Sequence, residues 1–207
     1  MPQLKICGIT DAAFAVEAAK RGIDYLGLIF AAGSSRRVTP EEAREIAAAA
    51  RGPRFVGVFV EQSVEEIAHI AETVPLDVIQ LHGDYGAEEV AALKGKGYEV
   101  WRLCGDRDGA VARERDAPDA VLLDGRDGAR SGGTGKLADW SRVAELKRAG
   151  CRVVLAGGIS AANIAAAVAT GADILDVNSS LETSPGKKSI RLLDDFLAHM
   201  PRDIMVK

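Results

Sequence analysis

Ala149-Gly150-Cys-Arg152-Val-Val-Leu-Ala156 and Thr170-Gly171-Ala-Asp-Ile174-Leu-Asp-Val177 decide the fold. In each, a helical stretch stops at a glycine, one to three residues follow, and a short apolar run begins. The same module precedes Tyr25-Leu-Gly-Leu-Ile29, after Arg21-Gly22, and Glu99-Val-Trp-Arg-Leu103, after Lys96-Gly97. A glycine just past a helix suits the left-handed C′ position. The runs are continuously apolar rather than alternating, which is the pattern of parallel strands covered by helices on the outside.

Working outward, further strands are expected around Leu4–Ile6, Phe55–Val60, Val78–Leu81 and Ala120–Leu123, making eight. Helix starts fall between them. Thr39-Pro40-Glu41-Glu42 offers a capping hydroxyl, a proline at the first helical position and a glutamate at the third. Ser63-Val-Glu-Glu66 repeats the capping box. The fifth helix has the least support, because Asp106–Asp116 is polar and long enough for only one or two turns. Eight βα units fit a closed barrel or an open doubly wound sheet. The first βα turn, Cys7-Gly8-Ile9-Thr10, lacks the G-x-G-x-x-G fingerprint of dinucleotide sheets, and no Pro/Ser-rich linker divides the chain. The expectation is one α/β domain over 1–207, a (β/α)8 barrel with short loops, since 207 residues is near the lower limit for that fold.

The chain is 47% hydrophobic and 27% charged, with a formal net charge of −4, so neither nucleic acid nor an anionic membrane is an expected partner. Three cysteines at wide spacing argue against a disulfide framework, and the three histidines have no metal-ligand spacing. Neither a signal-peptide core nor a run of 18 apolar residues is visible, so the cytoplasm is the expected compartment.

Active sites of such barrels sit at the C-terminal ends of the strands. Those ends read Lys5-Ile6-Cys7-Gly8, Gln80-Leu81-His82-Gly83, Leu123-Asp124-Gly125, Ala156-Gly157-Gly158 and Asp176-Val-Asn178-Ser179-Ser180. Each residue alone has a bland explanation: Cys7 as a small core thiol, Asp124 as a turn aspartate, the Gly pair as a tight turn. Their gathering at one end is the informative feature. Lys5 and Asp176 fall on adjacent strands of a closed barrel, and a buried Lys5–Asp176 pair is expected, because a lone buried lysine is costly.

Lys5-Ile-Cys7-Gly8-Ile-Thr10 resembles the opening motif of the phosphoribosylanthranilate isomerase family. The similarity continues through Ser35-Arg36, Thr39-Pro40-Glu41, Gly57-Val-Phe-Val60, Gln80-Leu-His82-Gly83, Leu122-Leu-Asp124, Gly132-Gly133-Thr134-Gly135-Lys136, Asp139-Trp140, Leu155-Ala-Gly157-Gly158 and Ser184-Pro-Gly-Lys187. The resemblance implies a cofactor-free Amadori rearrangement of a phosphosugar, N-(5′-phosphoribosyl)anthranilate. It implies Cys7 as general base, Asp124 as general acid, and Arg36 as the partner of the anthranilate carboxylate. At pH 7 an ordinary thiol costs roughly 2 kcal/mol to ionise and an ordinary aspartate about 4 kcal/mol to protonate. A nearby cation would ease the first, and Lys5, two residues from Cys7 on the same strand face, is the candidate.

For phosphate, the loops after the seventh and eighth strands offer Gly157, Gly158, Ser179 and Ser180. The resemblance adds Gly133 and Gly135. That loop fails the P-loop pattern, with Arg130 at the first glycine and Leu137 at the Ser/Thr. Gln80 and His82 are expected to brace the barrel mouth, and Arg37 to be a solvated charge. Asn178 and Ser180 depart from the family's Ser and Gly, and Ala31-Ala32-Gly33 is smaller than its usual residues. Two other readings stay open: a different phosphosugar isomerase or epimerase barrel, and a non-catalytic phosphosugar-binding domain. A monomer and a homodimer are both compatible with the sequence.

Overall fold

The computed structural model describes residues 1–104, 117–125 and 140–201. Eight parallel strands, β1 (Gln3–Ile6), β2 (Tyr25–Ile29), β3 (Arg54–Phe59), β4 (Val78–Leu81), β5 (Glu99–Leu103), β6 (Ala120–Leu123), β7 (Val153–Leu155) and β8 (Ile174–Val177), close into a barrel in sequence order. The expected strands recur to within one residue at either end. Closure is made by β1 against β8, in a register that sets Lys5 level with Asp176. The helix expected at Asp106–Asp116 lies outside the described residues. Gly22, Gly97, Gly150 and Gly171 all take positive φ, as their place after helices requires. Thr39 and Ser63 cap their helices with the reciprocal Glu42 and Glu66 bonds of a capping box. Among the described residues, no helix is long and apolar enough to cross a membrane.

A pairing between neighbouring strands adds to the expected modules. The residue just before every even strand is an aspartate, and its carboxylate accepts the backbone N–H of the strand before it. Asp24 takes Leu4 at 2.8 Å, Asp77 takes Phe55 at 2.7 Å, Asp119 takes Val100 at 2.8 Å and Asp173 takes Val153 at 2.7 Å. Each aspartate also donates its own N–H to that residue's carbonyl. Four equivalent clamps therefore set the strand stagger at the N-terminal rim. A charged acceptor on a backbone N–H contributes about 1.5–3 kcal/mol. Asp77→Ala is expected to lower unfolding stability by about that amount, measured in urea, with activity intact in native buffer.

Strand alternation sorts the core into two parts. Outward residues such as Leu26, Leu28, Ile79, Leu155 and Leu175 pack against the helices in one large cluster. Inward residues form a smaller one around Tyr25, Val56, Val78, Trp101, Leu122, Val154 and Ile174. At about 1.5–3 kcal/mol for each large side chain buried, the outer shell supplies most of the hydrophobic stabilisation. The upper interior is thereby left available for polar groups. At the lower end, Arg152 closes the barrel by donating to Glu99, Gln3 and Tyr25, at 2.9, 3.0 and 3.0 Å.

Candidate active site

Inward alternation carries Cys7, Gln80, His82, Asp124, Ala156 and Asp176 to the upper mouth, from the ends of β1, β4, β6, β7 and β8. They line one cleft of about 250 Å³ together with Arg36, Gly157, Gly158, Asn178 and Ser179. Beneath it, Lys5 is fully buried, and its Nζ lies 2.6 Å from Asp176 Oδ2, the pair expected from strand order. Burial works against the Lys5 charge, but Asp176 and Cys7 outweigh it and hold the ammonium above its ordinary range. Asp176 is pushed up by burial more than Lys5 draws it down.

Cys7 differs from its expectation. Lys5 and Lys188 do draw its pKa down, but burial, with the Asp176 carboxylate adding to it, prevails and the thiol is raised. Lys5 is the strongest influence opposing burial, but the cost of desolvating a thiolate there exceeds it. The sulfur's placement depends on Gly27 of β2. A Cβ there would sit 2.9 Å from Cys7 Sγ, 3.0 Å from Cys7 Cα and 3.3 Å from Lys5 Cε. The backbone contact cannot rotate away. Gly27→Ala is therefore expected to cut turnover at least tenfold while keeping the native circular dichroism spectrum; unchanged turnover would show that β1 has room to shift.

Asp124 follows β6. Its Oδ2 lies 3.5 Å from His82 Nε2, consistent with a bracing role for His82 at the mouth. Its Oδ1 is buried without a hydrogen-bond partner, as are Gln80 Oε1 and Asp176 Oδ1. Gly157 has φ +83°, and a Cβ on it would come within 2.4 Å of Gly125 N and 2.7 Å of Asp124 Oδ1. The absence of a side chain at Gly157 is thus what lets the β7 loop lie directly against the Asp124 carboxylate. Gly158 keeps its place through its carbonyl, which accepts from Asn163 Nδ2 at 2.9 Å.

After β8, the chain makes a short 3₁₀ turn, Ser179–Leu181, then a hairpin of β9 (Glu182–Ser184) and β10 (Lys187–Lys188). The Ser180 hydroxyl donates to Ile159 O at 2.7 Å, tying this turn to the β7 loop. Its hydrogen is spent there, and what Ser180 keeps for an anion is its backbone N–H at the start of the turn. Gly133 and Gly135 lie outside the described residues.

Arg36 borders the cleft, and Arg37 is exposed, as expected. One edge of the Arg36 guanidinium is occupied: Nε and Nη2 donate to Glu182 Oε1 and Oε2 at 2.8 and 2.7 Å. Lys188 Nζ donates to the same Glu182 Oε1 at 2.9 Å and to Asn178 O and Oδ1 at 3.0 and 2.7 Å. Burial would push Glu182 up, but Arg36 and Lys188 bring it below the usual carboxylate range. Glu182 and Lys188 were not singled out as site residues from the sequence. The signals that could have found them are the place of Glu182 at the end of the run Asp176-Val-Asn178-Ser-Ser180-Leu-Glu182 and of Lys188 directly after Ser184-Pro-Gly-Lys187.

Taken together, the mouth has a thiol and a carboxyl group for proton transfer, a guanidinium at one side, and two loops with backbone donors at another. Among the described residues, no group of three or more His, Cys, Asp and Glu side chains is arranged to hold a metal ion.

Residues 4–199 match the family model described as N-(5′phosphoribosyl)anthranilate (PRA) isomerase. An N-(5′-phosphoribosyl)anthranilate isomerase of Rubrobacter xylanophilus is 40% identical, over 96% of this chain and 98% of that one. The crystal structure of phosphoribosyl anthranilate isomerase from Thermus thermophilus superposes with a TM-score of 0.84 at 36% identity, covering 95% of this chain and 97% of that chain. A phosphoribosyl anthranilate isomerase in complex with reduced 1-(o-carboxyphenylamino)-1-deoxyribulose 5-phosphate superposes with a TM-score of 0.80 at 29% identity, covering 96% and 98%. The chain belongs to the phosphoribosylanthranilate isomerase family.

Proposed function

We propose that this chain isomerises N-(5′-phosphoribosyl)anthranilate to 1-(2-carboxyphenylamino)-1-deoxyribulose 5-phosphate in tryptophan biosynthesis, with Asp124 as general acid and Cys7 as general base. The observation that carries the assignment is the single cleft lined by Cys7, Asp124, Arg36 and the β7 and β8 loops. The named product analogue bound by a relative of the same fold supports it.

The Asp124 carboxyl gives its proton to the ribose ring oxygen while the C1′–O bond breaks, and the anilino nitrogen lone pair forms a C1′=N Schiff base. The Cys7 thiolate then removes the C2′ proton. The C–H electrons make a C1′=C2′ bond and the C1′=N pair returns to nitrogen. The resulting enolamine loses its O2′ proton and gains one at C1′, giving the ketone. Arg36 takes the anthranilate carboxylate, and the phosphate rests on the Gly157–Gly158 and Ser179–Ser180 loops, with Gly133 and Gly135 completing that subsite. The substrate is a small phosphosugar, and the cytoplasm is the proposed compartment.

The pH profile follows from the raised thiol. The active form holds one proton between the two groups, on Asp124 rather than Cys7. While the pair keeps that one proton, kcat/KM is level. It declines on the alkaline side only as the last proton leaves, above the ordinary thiol value of 9.0. Anthranilate fluorescence, followed during turnover from about pH 6 to 10, is expected to show no alkaline decline below that value. An alkaline limb centred near neutrality would contradict the raised thiol, and absence of turnover would favour a binding module.

A further inference from the structure

Two buried charges beside Arg36 take no part in these proton transfers. The Glu182 and Lys188 side chains are 4% and 2% exposed, and both come from the β9–β10 hairpin. All three Lys188 ammonium protons are committed, two to Asn178 and one to Glu182. Lys188 therefore has none left for a ligand. Nor does Glu182 need it as a partner, since Arg36 already meets both carboxylate oxygens.

What Lys188 changes is the charge. Burying an ammonium is unfavourable, and here burial pulls its pKa below the ordinary lysine value. Without Lys188, the Arg36–Glu182 pair would present no net charge to an anion. With it, two cations share one carboxylate. Both Nη1 hydrogens and one Nη2 hydrogen of Arg36 lie outside the bonds to Glu182, on a residue that borders the cleft.

We propose that Lys188 is a positioning residue that offsets Glu182, so that Glu182 fixes the guanidinium edge-on while the subsite keeps one net positive charge for a substrate carboxylate. The inference rests on Arg36 taking the anthranilate carboxylate. It adds that the affinity for that group depends on a lysine that never touches it.

The test compares Lys188→Met, Lys188→Arg, the Lys188→Met/Glu182→Gln double variant and Arg36→Met. Each is assayed with N-(5′-phosphoribosyl)anthranilate and with N-(5′-phosphoribosyl)aniline, which lacks the carboxylate. Lys188→Met is expected to raise KM for the anthranilate substrate roughly tenfold, the equivalent of about 1.4 kcal/mol, with kcat within about twofold. The aniline substrate is unaffected, and Lys188→Arg restores most of the affinity. The double variant also recovers, because removing both charges again leaves Arg36 uncompensated. If Lys188→Met does not fold, the double variant decides alone: a KM near wild type supports the proposal, and a tenfold rise overturns it. An unchanged anthranilate KM in Lys188→Met, or an equal rise for both substrates, overturns it while the Arg36 assignment stands. If Arg36→Met weakens both substrates alike, the carboxylate assignment falls and the inference falls with it.

Discussion

Replacing Cys7 by alanine, or Asp124 by asparagine, is expected to lower kcat about 10³-fold, the range supplied by one positioned acid or base, while phosphosugar binding persists. Neither change perturbs the anion subsites, because Arg36 and the β7 and β8 loops are held by other residues: Glu182, Asn163 and the Ser180–Ile159 bond. Cys7→Ala also removes a buried thiol without leaving a charge, so the fold should tolerate it. Asp124→Asn preserves shape and the contact with Gly157 but cannot donate a carboxyl proton. Fluorescence turnover assays paired with equilibrium binding of the product measure both effects. Full activity in either variant would remove that residue from its role.

The second large effect concerns stability. Lys5→Met is expected to destabilise the fold by about 3–5 kcal/mol, because it leaves the Asp176 carboxylate in the barrel without its counter-ion. The Lys5→Met/Asp176→Asn double variant should recover much of that loss, since it buries no uncompensated charge. Urea unfolding of both variants checks this; a double variant as unstable as the single one would show that packing, not charge, is at stake. The pH dependence of this contribution follows from Lys5. Its folded pKa lies above the ordinary 10.5, so its contribution is fully present below that value and is lost only as pH rises through the raised one. Lys5 should therefore lend the same stability throughout the neutral range.

The barrel was legible because its signals are local. A glycine after a helix, a capping box and a short apolar run each act within a few residues, and eight repeats in succession leave few topologies. The mouth was legible in outline because strand ends converge by construction. What escaped was long-range or dependent on shape. Arg36 and Glu182 are 146 residues apart, and the β9–β10 hairpin, seven residues from Glu182 to Lys188, brings them together. Gly27 reads as an unremarkable small residue within an apolar strand, yet it makes the space for Cys7. The strand-clamping aspartates carried a signal that could have been read: Gly22-Ile-Asp24 and Gly171-Ala-Asp173 share one spacing before their strands. The balance at Cys7 was not accessible from spacing at all. A lysine two residues away promises a lowered thiol, but burial, with the Asp176 carboxylate adding to it, reverses the sign.

A primary isotope effect with substrate deuterated at C2′ tests the division of labour most directly. If Cys7 removes that proton and Asp124 opens the ring, Cys7→Ser makes C–H cleavage limiting, and the effect on kcat/KM rises above wild type. Asp124→Asn makes ring opening limiting and suppresses it. An equal isotope effect in the two variants, or one that grows in Asp124→Asn alone, would contradict the assignment.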